Sequence, residues 1–129
     1  MAHAKANIGT TNYAVSIMAG HHQLSADERA ELGGQDVGPA PYELLCAALC
    51  ACTAITLRMY AERKKWPLLG VHVDVRYTQE GKKGAIARVL TFEGELDGEQ
   101  RARLADVAER TPVTLTLKQG VPITTTLGS

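Results

Sequence analysis

The chain has 129 residues, enough for one domain with one core and too few for two. Its 14 lysines and arginines balance 14 aspartates and glutamates, so no overall charge draws it towards nucleic acid or an anionic membrane. The opening Met-Ala-His-Ala-Lys-Ala-Asn7 lacks the apolar stretch of a secretory signal, and no run approaches the ~18 apolar residues of a membrane span; a cytoplasmic protein is expected.

Ala4 to Ile8 and Tyr13 to Met18 read as short strands separated by the turn-prone Gly9-Thr-Thr-Asn12, and His22 to Leu24 as a third. Ser25-Ala-Asp-Glu28 leads into Gly33-Gly-Gln-Asp-Val-Gly38, a loop in which the glycine pair marks a turn. Pro41 suits the first turn of a helix, where a missing N–H costs nothing, and Glu43 in the same turn faces the positive end of the dipole. This helix is expected from about Pro41 to Lys65, with Arg63, Lys64 and Lys65 at its negative end.

Val71 to Tyr77 alternates apolar and polar residues as a half-buried strand does; Gly81-Lys-Lys-Gly84 is a turn, and Ala85 to Leu96 completes an antiparallel hairpin. Asp97 caps a second helix through about Arg110, with Leu104, Val107 and Ala108 as its apolar stripe and Pro112 discouraging continuation. Val121 to Leu127 is expected as a last strand, at an edge because of Pro122.

The order βββ-α-ββ-α-β, with strands grouped on both sides of the long helix, predicts a single α+β domain over residues 1–129. The first half of the long helix is almost wholly apolar and is expected to be buried, whereas beyond Thr53 charged residues surface. Leu44 to Leu57 is apolar on all sides, which asks for more cover than one small sheet supplies and points to a second subunit.

That helix holds every cysteine: Cys46, Cys50 and Cys52. A rigid helix does not bring them into disulfide geometry, so they read as thiols of a reducing compartment. At about 100° per residue Cys46 and Cys50 lie on neighbouring faces, with Cys52 roughly 200° from Cys50. No Cys-x-x-Cys or paired-histidine spacing supports zinc, and neither a metal nor a cofactor is expected. Cys46 and Cys50 read as small hydrophobes, while Cys52 is either inert packing or a reactive thiol. A reactive cysteine needs a helix N-terminus or a cation. Cys52 lies about three turns into its own helix, too deep for the dipole, and Arg58, six residues on, faces elsewhere, so a cation would have to come by tertiary or quaternary contact. Glu43 is explained by the helix dipole alone; nine residues from Cys52, it is roughly 13 Å away along the axis and on the opposite face, so the two would cooperate only across a dimer. His21 and His22 point to opposite faces of a strand, His72 takes the polar phase of another, and His3 is assigned no function.

The run from Gly38-Pro-Ala-Pro-Tyr-Glu-Leu-Leu-Cys46 through Cys52-Thr-Ala-Ile-Thr-Leu-Arg58 to Lys64 closely resembles the central helix of the OsmC/Ohr family of osmotically induced and organic-hydroperoxide-resistance proteins. Leu24 to Glu28, Gly33-Gly34 and Ile123 to Leu127 extend the likeness over nearly the whole chain, nearest to the less characterised OsmC-like branch. The resemblance implies an OsmC-like fold and an intertwined homodimer with shared sheets and long central helices. It also implies thiol-dependent reduction of organic hydroperoxides, with Cys52 in the peroxidatic position and an arginine and a glutamate of the other subunit tuning it. This chain departs from the pattern in three places. The second cysteine's position reads Thr111; the activating glutamate's position, ten residues before Cys52, reads Tyr42, with Glu43 one step later; and no arginine between Ala2 and His22 matches the strand-borne one, which leaves Arg29 in the following loop. Two readings follow. One is a thiol peroxidase with Cys52 and Glu43 as its candidate catalytic residues, its oxidised sulfur reduced by an external thiol. The other is a non-catalytic dimer that binds a hydrophobic small molecule.

Overall fold

The computed structural model describes residues Met1–Gly128. Its backbone contacts divide the chain into two compact units, the first Met1–Cys46 and the second beginning at Ala47.

The first unit is built on an antiparallel meander of β1 (Ala4–Ile8), β2 (Val15–Ala19) and β3 (His22–Ala26), with Ile17 facing Ala6 on one side and Leu24 on the other. Gly20, at φ 60°, supplies the positive φ that a two-residue hairpin loop requires at its first position. The chain then leaves the sheet through Asp27, which is 2 % exposed and organises the loop that follows. One carboxylate oxygen accepts the N–H groups of Tyr13 (3.1 Å) and Glu28 (2.7 Å), and the other those of Gln35 (3.1 Å) and Val37 (3.3 Å). A methyl group at Gly34 would collide with the Glu28 carbonyl, so the loop closes on Asp27 only with glycine there. Sequence punctuation marked this loop, but not the buried acid at its centre.

The long helix α1 spans Pro41–Lys64. Its end has the double bond of a Schellman motif: Lys65 N–H donates to Glu62 C=O (3.1 Å) and Trp66 N–H to Ala61 C=O (2.9 Å), with Lys65 at φ 61° where glycine is usual. In the second unit β4 (Leu68–Glu80) pairs with β5 (Lys83–Gly94) across a two-residue Gly81-Lys82 loop, with a register shift between Leu68 and Gly70. Helix α2 (Gly98–Ala108) starts with a full capping box, Asp97 accepting from Gln100 N–H (2.8 Å) and the Gln100 side chain accepting from Asp97 N–H (2.9 Å). Leu57 and Ala61 of α1, Leu68, Leu96, and Leu104 and Ala108 of α2 form the core, flanked by Trp66, Leu90, Phe92 and Val107. Each large aliphatic side chain buried there contributes roughly 1.5–3 kcal/mol.

The α+β class and the order of elements through α2 agree with expectation. Three features do not. Thr111-Pro112 opens a third helix, α3 (Pro112–Gln119), in a stretch where no element was expected. Residues 121–128 are exposed and form no strand; Val121, Ile123 and Leu127 keep 59 %, 86 % and 91 % of their surface, because a strand needs a neighbour and this segment pairs with none among the described residues. Finally, α1 is not buried in its first half and exposed in its second. Leu49, Thr53, Leu57 and Ala61, each one turn after the last, form one buried stripe along its length, while Ile55 and Met59 remain about half exposed. Against the expectation from composition, α1 is also long and apolar enough, by those two criteria alone, to cross a membrane.

Burial by itself would raise the Asp27 pKa, but the four N–H donors, from Glu28, Val37, Gln35 and Tyr13, outweigh it and hold the carboxyl below its ordinary value. A depressed folded pKa gives stability that is present above the ordinary aspartate value of 3.8 and is lost as pH falls through the folded value. Acid titration followed by amide resonances should therefore release the Gln35 and Val37 N–H groups together, and Asp27→Asn should expose them to exchange at neutral pH. Unchanged protection of both amides in that variant would rule out Asp27 as the loop's anchor.

Candidate functional site

The buried stripe of α1 decides what each cysteine faces. Cys50 lies towards β4, where its thiol donates to Val73 C=O at 3.6 Å. Cys52 lies on another flank, where its sulfur accepts from Val113 N–H at 3.4 Å and sits 4.0 Å from Thr56 Oγ1. All three cysteines are partly buried and unbridged. Among the described residues no three His, Cys, Asp or Glu side chains converge as a metal set would require.

Val113 occupies the first turn of α3, so the sulfur meets the start of a helix. Thr111 is its N-cap: fully buried, with its hydroxyl accepting from Thr114 N–H (3.4 Å) and lying 2.6 Å from Thr114 Oγ1. Pro112 at N1 lacks an N–H, which leaves Val113 to present the first free donor of this end. The expectation that only a cation could serve Cys52 is thus corrected: Cys52 is too deep in its own helix, but it stands against the N-terminus of another. The Thr-Pro pair was the available signal. It was masked by Val113-Thr-Leu-Thr-Leu117, whose alternation imitates a strand.

Beside this contact lies a side chain that the sequence reading passed over. Arg88, on β5, shares the inward phase of Leu90 and Phe92, and its side chain is only 11 % exposed. Nη1 donates to Thr53 Oγ1 (2.9 Å) and Thr114 Oγ1 (3.0 Å), and Nη2 to Ala108 C=O (2.9 Å) and Glu109 Oε2 (3.3 Å). The Thr53 hydroxyl in turn donates to Leu49 C=O at 2.7 Å. Lys118 comes first among the groups that hold the Glu109 carboxyl below its ordinary range, by hydrogen bond and charge, and Arg88 adds to it. A charged residue in the apolar phase of a strand was a legible signal for this network.

The other charged candidates are committed locally. Glu43, exposed at N3 of α1, accepts from Ala40 N–H at 2.9 Å, half of a capping box. Arg58 donates to Leu68 C=O at 2.6 Å, and Arg29, 62 % exposed, lies 4.0 Å from Glu31. Thr111, where the resemblance places a second cysteine, is a hydrogen-bonded cap.

The chain is thus an α+β protein in which a thiol of the long apolar helix meets the N-terminus of a second helix. The family profile described as OsmC-like protein matches residues 33–126, and the chain belongs to that family. Its structure is similar to an OsmC-like protein from Mycoplasma pneumoniae, with a TM-score of 0.79 at 18 % identity over 94 % of this chain and 89 % of that one. It is also similar to an organic hydroperoxide resistance protein, OsmC, from Legionella pneumophila (TM-score 0.66, 25 % identity, 92 % and 89 % covered). A third similar structure is the organic hydroperoxide resistance protein OhrB of Bacillus subtilis (TM-score 0.66, 20 % identity, 93 % and 92 % covered). No curated protein matches at a significant level.

Arg88 and Glu109 should differ sharply in their weight on stability. Arg88→Met strips donors from Thr114 and the Ala108 carbonyl and should cost about 1–3 kcal/mol. Glu109→Gln, at a carboxylate 59 % exposed, should cost under about 1 kcal/mol. Urea unfolding midpoints decide; equal losses in the two variants would contradict a buried hub at Arg88.

Proposed function

We propose that this protein is a homodimeric, thiol-dependent reductase of organic hydroperoxides in which Cys52 is the peroxidatic residue. The observation that carries the reading is the contact of Val113 N–H with the Cys52 sulfur at the start of α3, since a helix N-terminus is one of the settings in which thiols react. Membership of the OsmC-like family and the likeness to organic hydroperoxide resistance proteins support it.

In the proposed reaction the Cys52 thiolate attacks the terminal peroxide oxygen. The S–O bond forms as the O–O bond breaks, and the departing alkoxide takes up a proton to leave as the alcohol. Cys52 is thereby oxidised by two electrons to a sulfenic acid. With Thr111 in the second cysteine's position, an external thiol condenses with the sulfenic acid, releasing water and forming a mixed disulfide. A second thiol then displaces Cys52 and carries away the oxidised pair. Glu43 enters this reading as a carboxylate of the second subunit.

The dimer would cover what one chain leaves bare: the half-exposed Ile55 and Met59 on α1 and the unpaired segment from Val121 to Leu127. In that assembly α1 is the central helix of a soluble cytoplasmic protein and not a membrane span. The profile match crosses from one compact unit into the other, which supports a single OsmC-like domain. A groove of about 430 Å³ lined by Ala54, Ile55, Arg58, Met59, Glu62 and Val71 favours the alternative, a non-catalytic dimer holding a hydrophobic small molecule.

Cumene hydroperoxide supplied with a dithiol separates the two. The wild type should consume peroxide and acquire a sulfenic-acid label on Cys52, and Cys52→Ser should fall to the buffer rate, with both proteins dimeric by light scattering. Equal consumption by the two, with no label on Cys52, would leave the binding reading in its place.

A further inference from the structure

The geometry points to Arg88 as a positioning residue for Cys52, acting without touching the sulfur. It deepens the reading of Cys52 as the reacting thiol and rests on it. Thr53 follows Cys52 on α1, and Thr114 follows Val113 on α3. A single guanidinium nitrogen, Arg88 Nη1, donates to both threonine hydroxyls, at 2.9 and 3.0 Å. The two residues that meet at 3.4 Å, Cys52 and Val113, are therefore each one residue before a residue held by that nitrogen.

The clamp is fixed at its other end as well. Arg88 Nη2 donates to the last carbonyl of α2, Ala108 C=O, which also accepts from Thr114 Oγ1 at 3.3 Å. Thr114 Oγ1 in turn lies against the Thr111 hydroxyl that caps α3. The end of α2, the start of α3 and the middle of α1 are thus tied to one side chain of β5. A planar fork with several donors can do this; an ammonium group, with one nitrogen, cannot reach the same four acceptors in the same directions. Thr111 gains a role that a cysteine there would not fill: it caps the helix whose N–H meets Cys52, and its hydroxyl belongs to the cluster Arg88 holds.

The test compares second-order alkylation of Cys52 by iodoacetamide at fixed pH, read by peptide mass spectrometry, with Cys46 and Cys50 as internal standards in the same molecule. Arg88→Met and the nearly isosteric Thr114→Val should each slow Cys52 by about fivefold, the worth of one net hydrogen bond, with Cys46 and Cys50 little changed. Thr114→Ser, which keeps the hydroxyl, should restore the rate, and Arg88→Lys should not. General loosening would instead speed all three cysteines. If Arg88→Met does not fold, the Thr114 pair decides alone. An unchanged Cys52 rate in folded Thr114→Val, a serine no better than valine, or parallel changes at all three cysteines would overturn the assignment. Alkylation needs no peroxide, so a wild type inert to cumene hydroperoxide would sink the peroxidase reading and leave this comparison intact.

Discussion

Helix α1 buries one line of side chains among the described residues, and much else depends on which. Leu49, Thr53, Leu57 and Ala61 repeat at the spacing that stacks side chains along one line, and the core of the second unit assembles on the lower part of that line. Once the line is fixed, helical geometry assigns every other residue of α1 its surroundings. Cys50 falls towards β4, Cys52 falls towards α3, and Ile55 and Met59 are left about half exposed. The thiols face different neighbours because they differ by rotation about one axis.

The second position in the line does more than pack. Thr53 is fully buried, and its hydroxyl would be costly there without partners. It has two, donating to Leu49 C=O and accepting from Arg88. An arginine so enclosed is costly too unless its donors are met, and they are met by groups from α1, α2 and α3 together. Satisfying one buried charge therefore fixes the mutual placement of three helices around the hairpin that carries it. Hydrophobic contact brings these elements together without direction; the guanidinium supplies the direction.

Local chemistry was the part of the structure legible in the sequence. Gly81 at its turn, Asp97 at its cap, and Pro41 at its helix start each act within a few residues, and the elements they bound were found, though β4 runs three residues further at each end than the expected Val71 to Tyr77. What escaped was set by distance along the chain. Helix α3 has a sound start in Thr111-Pro112, but its body alternates as a strand would, and the long-range contacts to its first turn reach from residues 52 and 88. Val121 to Leu127 shows the reverse: strand-like residues and no pairing strand among the described residues. Cys52 was legible as a candidate, whereas its donor, sixty-one residues away, was not.

That separation bears on how such a site can vary. A disulfide from position 111 would fix the start of α3 by a covalent bond and would be broken and remade whenever the sulfur reacted. The cluster of Thr111, Thr114, Arg88 and the Ala108 carbonyl holds the same turn with hydrogen bonds that no redox step touches. None of these hydrogen bonds involves the Cys52 sulfur, so the cap of α3 does not itself depend on it. Under the proposed peroxidase reading, threonine at position 111 would leave oxidised Cys52 to be resolved by a partner molecule, while the hydrogen bonds that hold the start of α3 stay within the fold.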